Sequence, residues 1–388
     1  MTSSLPNVND PSVVLINATP DEQRQIWRAT HPSWGPGLTL DQYLDREAYL
    51  LTTALAKDGG LTQWILTDSS AAASSRPVLS SCETIRKRAI VADPSGALAD
   101  VTAHGVASVF TDPEYRSRGY AGKMMALLGE ELVRQEDAAP GAARFSVLFS
   151  DIGPKFYANH QWMPIGNSHL EFPVTGPAAT MPANVTELND GHLAALATRD
   201  EQLLREQLSK PLVDGNSTKL RAAILPDLKT LDWQYRREDH MLRHFLGRAP
   251  SVRGALYMPP GERGAERRIW GLWVRSRYGG ADGHPVVTVL HFLRLVVEDE
   301  ATTTDEELAV ALEGIMAVAQ REAAAADCKS IEMWNPPTRV LAAFNDKLMQ
   351  FDGKIVERDT SNLASLRWFG AGSADNIDWV ANEKFEWC

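Results

Sequence analysis

Arg116-Ser-Arg-Gly-Tyr-Ala121 combines residue types that could hold a diphosphate. A β-branched, apolar run from Val106 to Phe110 stops at Asp112-Pro113, and the amphipathic pattern of a helix begins directly after Gly119. Small residues at Gly119, Ala121 and Gly122 let the backbone close around an anion, and a new helix presents unpaired N–H groups at its positive end. Ala121, Met125, Leu128 and Leu132 recur on one face of that helix, with Lys123, Glu130 and Arg134 elsewhere. A second constellation follows, Phe145-Ser-Val-Leu-Phe-Ser150 as a buried strand and then Phe156-Tyr157 and Trp162, with Asp151 and Pro154 as start signals for the intervening helix. A phenol such as Tyr157 can give a proton to a sulfur leaving group, or it can serve as a half-buried aromatic on the sheet.

Arg116 to Ala121 matches the Arg/Gln-x-x-Gly-x-Gly/Ala signature of the GNAT acetyltransferases, and Phe156-Tyr157…Trp162 resembles their next motif, with Gln161 where the family usually has glycine. The resemblance implies an α/β fold of α+β type with a mixed sheet. It implies that Arg116, Ser117, Arg118, Gly119, Tyr120, Ala121 and Gly122 bind the pyrophosphate of coenzyme A, and that Val109, Phe110 and Thr111 bind the pantetheine arm. By the same resemblance Tyr157 is the general acid. Acetyl-CoA is then the co-substrate, direct transfer the reaction, and no metal is expected.

The general base is not fixed by the sequence. His104, on the strand leading to the signature, could relay a proton or be a satisfied core histidine. Asp151 could act, although a helix cap is the favoured reading. The α-carboxylate of Cys388 is a third candidate, because some two-domain GNAT relatives use a terminal carboxylate, and a docked aromatic tail is the plainer reading of Asn382–Cys388.

Of 388 residues, 44% are hydrophobic, enough for two cores, and the net charge of −11 argues against nucleic acid or anionic membranes as partners while suiting a cationic amine. Three scattered cysteines indicate neither a disulfide framework nor a zinc site. His240 and His244 stand four residues apart without the Glu of a metalloprotease motif. The polar first residues carry no secretory pattern, and no apolar run is of membrane-spanning length, so a soluble cytoplasmic protein, monomer or homodimer, is expected.

The element order is read as a strand at 13–16, helices at 21–29 and 40–57, strands at 64–66, 77–90 and 106–110, the signature helix, the Phe145 strand, the Tyr157 helix and a last strand at 167–172. Pro173 to Pro182, rich in proline and small residues, is read as a linker between a catalytic domain (1–172) and a second, degenerate GNAT-like domain (183–388). That second half carries helices at 187–208 and 233–246, strands at 252–257, 268–275 and 286–297, a helix at 304–325 with a Thr304–Glu307 capping box, a strand near Ile331, a helix at 338–349 and a strand at 363–369. Its equivalent turn, Val297-Glu-Asp-Glu-Ala-Thr-Thr-Thr304, has three carboxylates and no glycine, so it would repel a diphosphate and leave this half free to shape the acceptor site. Together with Ser108–Thr111, Arg118–Ala121 and Leu148–Gly153, the tandem arrangement resembles the fungal L-lysine N6-acetyltransferases of lysine degradation. That implies transfer to the ε-amine of free lysine. A polyamine, an aminoglycoside-like amine or a protein lysine as acceptor, and an inactive CoA-binding interaction module, are the alternatives. Trp233-Gln-Tyr-Arg-Arg-Glu-Asp-His240 has the charges and aromatics to face an acceptor, or to be a solvated helix face.

Overall fold

The computed structural model describes residues 5–73, 75–176, 183–212, 218–261, 264–279 and 285–387. The expected linker lies partly outside them, at 177–182, as does Cys388. The first half opens with β1 (Val13–Asn17), α1 (Pro20–Trp34) and α2 (Leu40–Leu50), and continues with β2 (Leu61–Asp68), β3 (Ser80–Ala92), β4 (Leu98–Phe110), α3 (Tyr120–Ala138), β5 (Phe145–Ser150), α4 (Lys155–Ala158) and β6 (Met163–Pro164). Then come β7 (Ser168–Pro173), β8 (Val185–Leu188), α5 (Asp190–Leu208), β9 (Leu220–Ile224), α6 (Leu228–Leu246), β10 (Gly254–Tyr257), β11 (Ile269–Tyr278) and β12 (Val287–Val297). The chain closes with α7 (Asp305–Ala325), β13 (Ser330–Trp334), α8 (Thr338–Asp346), β14 (Lys354–Glu357), β15 (Leu363–Trp368) and β16 (Ile377–Trp379).

Two mixed sheets result. One runs β1-β2-β3-β4-β5-β15-β6, with β9 and β16 attached beside β3; the other runs β14-β7-β13-β12-β11-β10-β8. Each contains a parallel pair joined by a long helix, β4-α3-β5 and β12-α7-β13, so the second half repeats the first. The final strands are exchanged. The segment read as the last strand of the first half is indeed a strand, but it pairs with β13 and β14 in the second sheet, while β15 pairs with β5 in the first. Both strands carry apolar residues suited to either central position, so local pattern does not say which sheet each joins.

Capping explains several boundaries. Thr19 and Thr39 close reciprocal capping boxes at α1 and α2, and Thr304 accepts the Glu307 N–H at α7. α2 stops at Leu50, short of the expected Lys57, where the Thr52 and Thr53 hydroxyls turn back onto the carbonyls of Tyr49 and Leu50. The core of the second half lies between its sheet and α7, where Leu308, Leu312, Ile315, Met316 and Ala319 are buried. In the first half Met124, Met125, Leu128 and Leu132 of α3 pack against Trp64, Cys82, Val106 and Leu148. No helix among the described residues is long and apolar enough to cross a membrane.

Candidate active site

β4 and β5 pair only from Ala103–Gly105 against Phe145–Val147 and then part. A β-bulge makes the divergence possible. Glu83 stands opposite Ala107 and Ser81 opposite Phe110, so Ser108 and Val109 together face the single residue Cys82. Ser108 takes the left-handed φ of 53°. An extra residue bends its strand away from the ladder, and the opened edge, Val106 to Val109 with Leu148, Phe149 and Asp151, forms one wall of a cavity of about 550 Å³.

At the far end of β4, Asp112 caps a short turn and the signature residues Arg116–Gly119 are exposed. Gly119 has φ 85° and starts α3 without any side-chain cap, so the first N–H groups of that helix are left for a ligand. A Cβ at Gly119 would meet nothing closer than Val8 at 3.6 Å, so backbone conformation rather than crowding selects glycine. Ser117 is also left-handed, at φ 61°. Arg116 folds back, donating Nε–H to the Thr111 carbonyl at 3.0 Å. Tyr120 turns inward and donates to the Pro6 carbonyl at 2.6 Å, anchoring the helix. Ala121 and Gly122 lie in the first turn, Gly122 close to the His160 ring. Ser80 Oγ donates to the Phe110 carbonyl at 2.9 Å and lies 2.9 Å from the Thr111 hydroxyl, fixing the strand end.

Tyr157 sits in α4 and lines the cavity, with 8% of its surface exposed. Burial raises the pKa of its phenol well above the ordinary value, with Cys82 and Asp151 adding to the shift. Trp162 is fully buried and donates to Ser146 Oγ at 2.8 Å. Gln161 occupies a left-handed position at φ 70°, which accounts physically for the glycine usual at this place in the resembling motif.

The base candidates separate. His104 is buried between Arg86 and Ser146 on the neighbouring strands and does not line the cavity; burial pushes its pKa down to about 4. Asp151 does reach the cavity, but it does not cap α4; it accepts the Asn362 N–H at 2.9 Å, and Pro154 holds the cap position with no side-chain bond. Cys388 lies outside the described residues; Trp387 before it lines the cavity, its carbonyl accepting from Gln234 Nε2 at 2.7 Å.

A carboxylate that sequence reasoning missed lines the same cavity. Glu83, on β3, lines the cavity with Tyr157 and accepts a hydrogen bond from Ser108 Oγ at 2.8 Å. Desolvation, with the nearby Glu47 charge, pushes its pKa up to about 7, against the lowering effects of Ser108 and Arg46. The only signal in the sequence is a lone acidic residue in a strand one hairpin away from the signature.

The remaining walls come from α2 (Tyr43, Arg46, Glu47), α6 (Trp233, Arg237), and β11 (Arg277, Tyr278). Part of the stretch at 233–240 therefore does face the cavity. In the second half the corresponding region past Phe292 is filled: Glu383 accepts the Leu295 N–H at 3.0 Å, and Phe385 is fully buried. Its acidic turn is closed on itself, with Glu298 held by Arg268 at 2.7 Å and Asp299 accepting the Thr302 N–H at 3.1 Å.

Residues 169–388 match the family model described as the LYC1 GNAT-like C-terminal domain. A lysine acetyltransferase of Yarrowia lipolytica (strain CLIB 122 / E 150) is 26% identical over 183 residues, covering 43% of this chain and 45% of that relative, so the match spans somewhat less than half of its length. Among solved structures, a conserved protein of unknown function from Enterococcus faecalis V583, a probable N-acyltransferase, superposes with a TM-score of 0.51 at 11% identity over 92% of this chain and 72% of that one. The N-myristoyltransferase of Saccharomyces cerevisiae with bound myristoyl-CoA gives 0.52 at 9% identity over 95% and 81%. Both share the fold. With its family match covering more than half of the chain, this protein belongs to the GNAT superfamily, in the group whose C-terminal half is a LYC1 GNAT-like domain.

Proposed function

We propose that this protein transfers the acetyl group of acetyl-CoA to a primary amine, with the ε-amine of free L-lysine as acceptor, in lysine degradation in the cytoplasm. One observation carries the reading: the Glu83 carboxylate and the Tyr157 hydroxyl line one cavity, which opens at the bulged edge of β4. The uncapped start of α3 after Gly119 suits the pyrophosphate, and the parted edge of β4 suits the pantetheine arm.

Acetyl-CoA supplies the activated acyl group as a thioester. A lysine ammonium, with a reference pKa of about 10.4, must lose its proton to become a nucleophile. Glu83, about half ionised near neutrality, accepts that proton. The amine nitrogen forms a bond to the carbonyl carbon, the carbon–sulfur bond breaks as Tyr157, held protonated by burial, donates to the sulfur, and the second proton of the nitrogen passes to the Tyr157 phenolate as the amide forms. The first half carries the acetyl donor in this reading, and α6 and β11 of the second half close the acceptor side. The relative named a lysine acetyltransferase supports the choice of acceptor.

The test is thiol release from acetyl-CoA with L-lysine, D-lysine, spermidine and a lysine-containing peptide. Selective turnover of L-lysine supports the proposal. Turnover of spermidine or peptide alone keeps the acetyl transfer and removes the acceptor. Binding of acetyl-CoA without turnover of any amine removes the enzymatic reading.

A further inference from the structure

α6 is fixed by a buried ionic cluster. Arg253 pairs with Glu238 at 2.9 Å and with Asp239 at 2.7 Å, and Arg275 pairs with Glu238 at 2.9 Å. These carboxylates face the second sheet. Trp233 and Arg237, one turn apart, line the cavity instead. Met241, a further turn on, packs with Trp27, Leu38 and Tyr43 under α1 and α2. Arg237 is thus presented to the cavity by a helix locked on two sides.

Other charged groups of the lining have partners. Arg46 is paired with Glu47, Glu83 accepts from Ser108, Asp151 accepts from Asn362, and Arg277 bonds the Thr288 hydroxyl at 3.1 Å while stacking on Phe245. Arg237 differs. Its guanidinium lies over the Trp387 ring, 5.0 Å from the centroid, and among the described residues it has neither a hydrogen-bond nor an ion-pair partner. Desolvation lowers its pKa to about 10, and the neighbouring Arg46 charge acts in the same direction. It therefore stays charged at neutral pH. A partly desolvated guanidinium with no counterion among the described residues is stabilised by an anionic ligand that enters the cavity.

We propose that Arg237 receives the carboxylate of the acceptor, so that the cavity selects an amino acid over an amine lacking that group. The proposal rests on the acetyl-transfer reading of the same cavity. A planar guanidinium fits a carboxylate through two parallel hydrogen bonds, and the contact with the Trp387 ring restrains its position. The carboxylate at Arg237 and the amine at Glu83 then hold the two ends of one acceptor, with the aromatic walls of Trp233 and Trp387 along its aliphatic chain.

The experiment compares L-lysine with 1,5-diaminopentane, which is lysine without its carboxylate, in the wild type, Arg237→Gln and Arg237→Lys. Losing a charge-assisted hydrogen bond corresponds to roughly 10- to 100-fold in affinity. Arg237→Gln should raise KM for L-lysine by that factor with kcat largely kept, leave KM for the diamine unchanged, and Arg237→Lys should recover part of the loss. An equal loss for both amines, or unchanged KM for L-lysine, overturns the proposal. So does a wild type that uses the diamine as well as L-lysine, a result that needs no variant to fold. If no amine is acetylated, calorimetric titration of L-lysine still decides: binding to the wild type that weakens in Arg237→Gln supports the carboxylate site, whereas unchanged or absent binding removes it independently of the fate of the transfer reading.

Discussion

Ser108 Oγ donates to Glu83 Oε2 at 2.8 Å across the bulge between β3 and β4. The residue that departs from the regular ladder, with φ 53°, is the one that orients the carboxylate. The bulge thus serves two ends. It opens the sheet edge beside β5 and fixes Glu83 on the cavity wall.

Glu83→Gln should lower kcat by about 10²- to 10⁴-fold, the usual scale of a lost general base. The sign of the pH dependence follows from its pKa near 7: the base form accumulates as pH rises, so kcat/KM in the wild type climbs through neutrality and levels off above it. The variant should lose that limb. A pH–rate profile that keeps its limb in Glu83→Gln would assign the titration to another group.

Tyr157→Phe preserves the ring that packs beside Phe156 and removes only the proton source. We expect kcat to fall by roughly 10- to 1000-fold while the Kd for acetyl-CoA changes little. Stopped-time product assays and calorimetry separate the two quantities, and wild-type turnover in the variant would take Tyr157 out of the chemistry.

Gly119→Ala places a Cβ at φ 85°, a conformation that costs an ordinary residue about 1–2 kcal/mol. The space is open toward Val8, so the variant should fold, with the turn distorted and coenzyme A bound about 10-fold more weakly. Calorimetry with CoA checks this. Unchanged affinity in a folded protein removes the turn from the binding site.

His104 provides a stability test. Its folded pKa, about 4, lies below the value of about 6.5 expected in the unfolded chain. Between those values the unfolded chain takes up a proton that the folded chain refuses, so stability is intact above pH 6.5 and declines as pH falls toward 4. The full loss is roughly 3 kcal/mol. His291, lowered likewise by burial, contributes in the same direction. Melting temperatures across this range should fall less in His104→Gln, and an identical acid slope would show that His104 is not responsible.

The glycine turn before α3 and the strand and helix that carry Tyr157 were legible in the sequence because each lies within one short, continuous stretch. Arg116–Ala121 is a turn with its own helix, and Phe145–Trp162 is a strand and the helix after it. Glu83 was missed, and Arg237 was named only within the stretch 233–240, because each reaches the cavity from an element whose inward face is chosen by distant packing. Glu83 owes its position to the β3–β4 register, and Arg237 to the buried pairs of Glu238 with Arg253 and Arg275. The exchange of β7 and β15 was hidden for a similar reason, since both are short apolar strands that fit beside either β5 or β13. The short strands β8, β9, β14 and β16 escaped because three to five residues carry too little periodicity to read.

The most direct measurement is the position of the acetyl group after incubating the purified protein with acetyl-CoA and L-lysine, read by fragmentation mass spectrometry alongside thiol release. One acetyl on the ε-nitrogen per thiol released is the expected result. Acetylation of the α-nitrogen, or thiol release without an acetylated lysine, would contradict it.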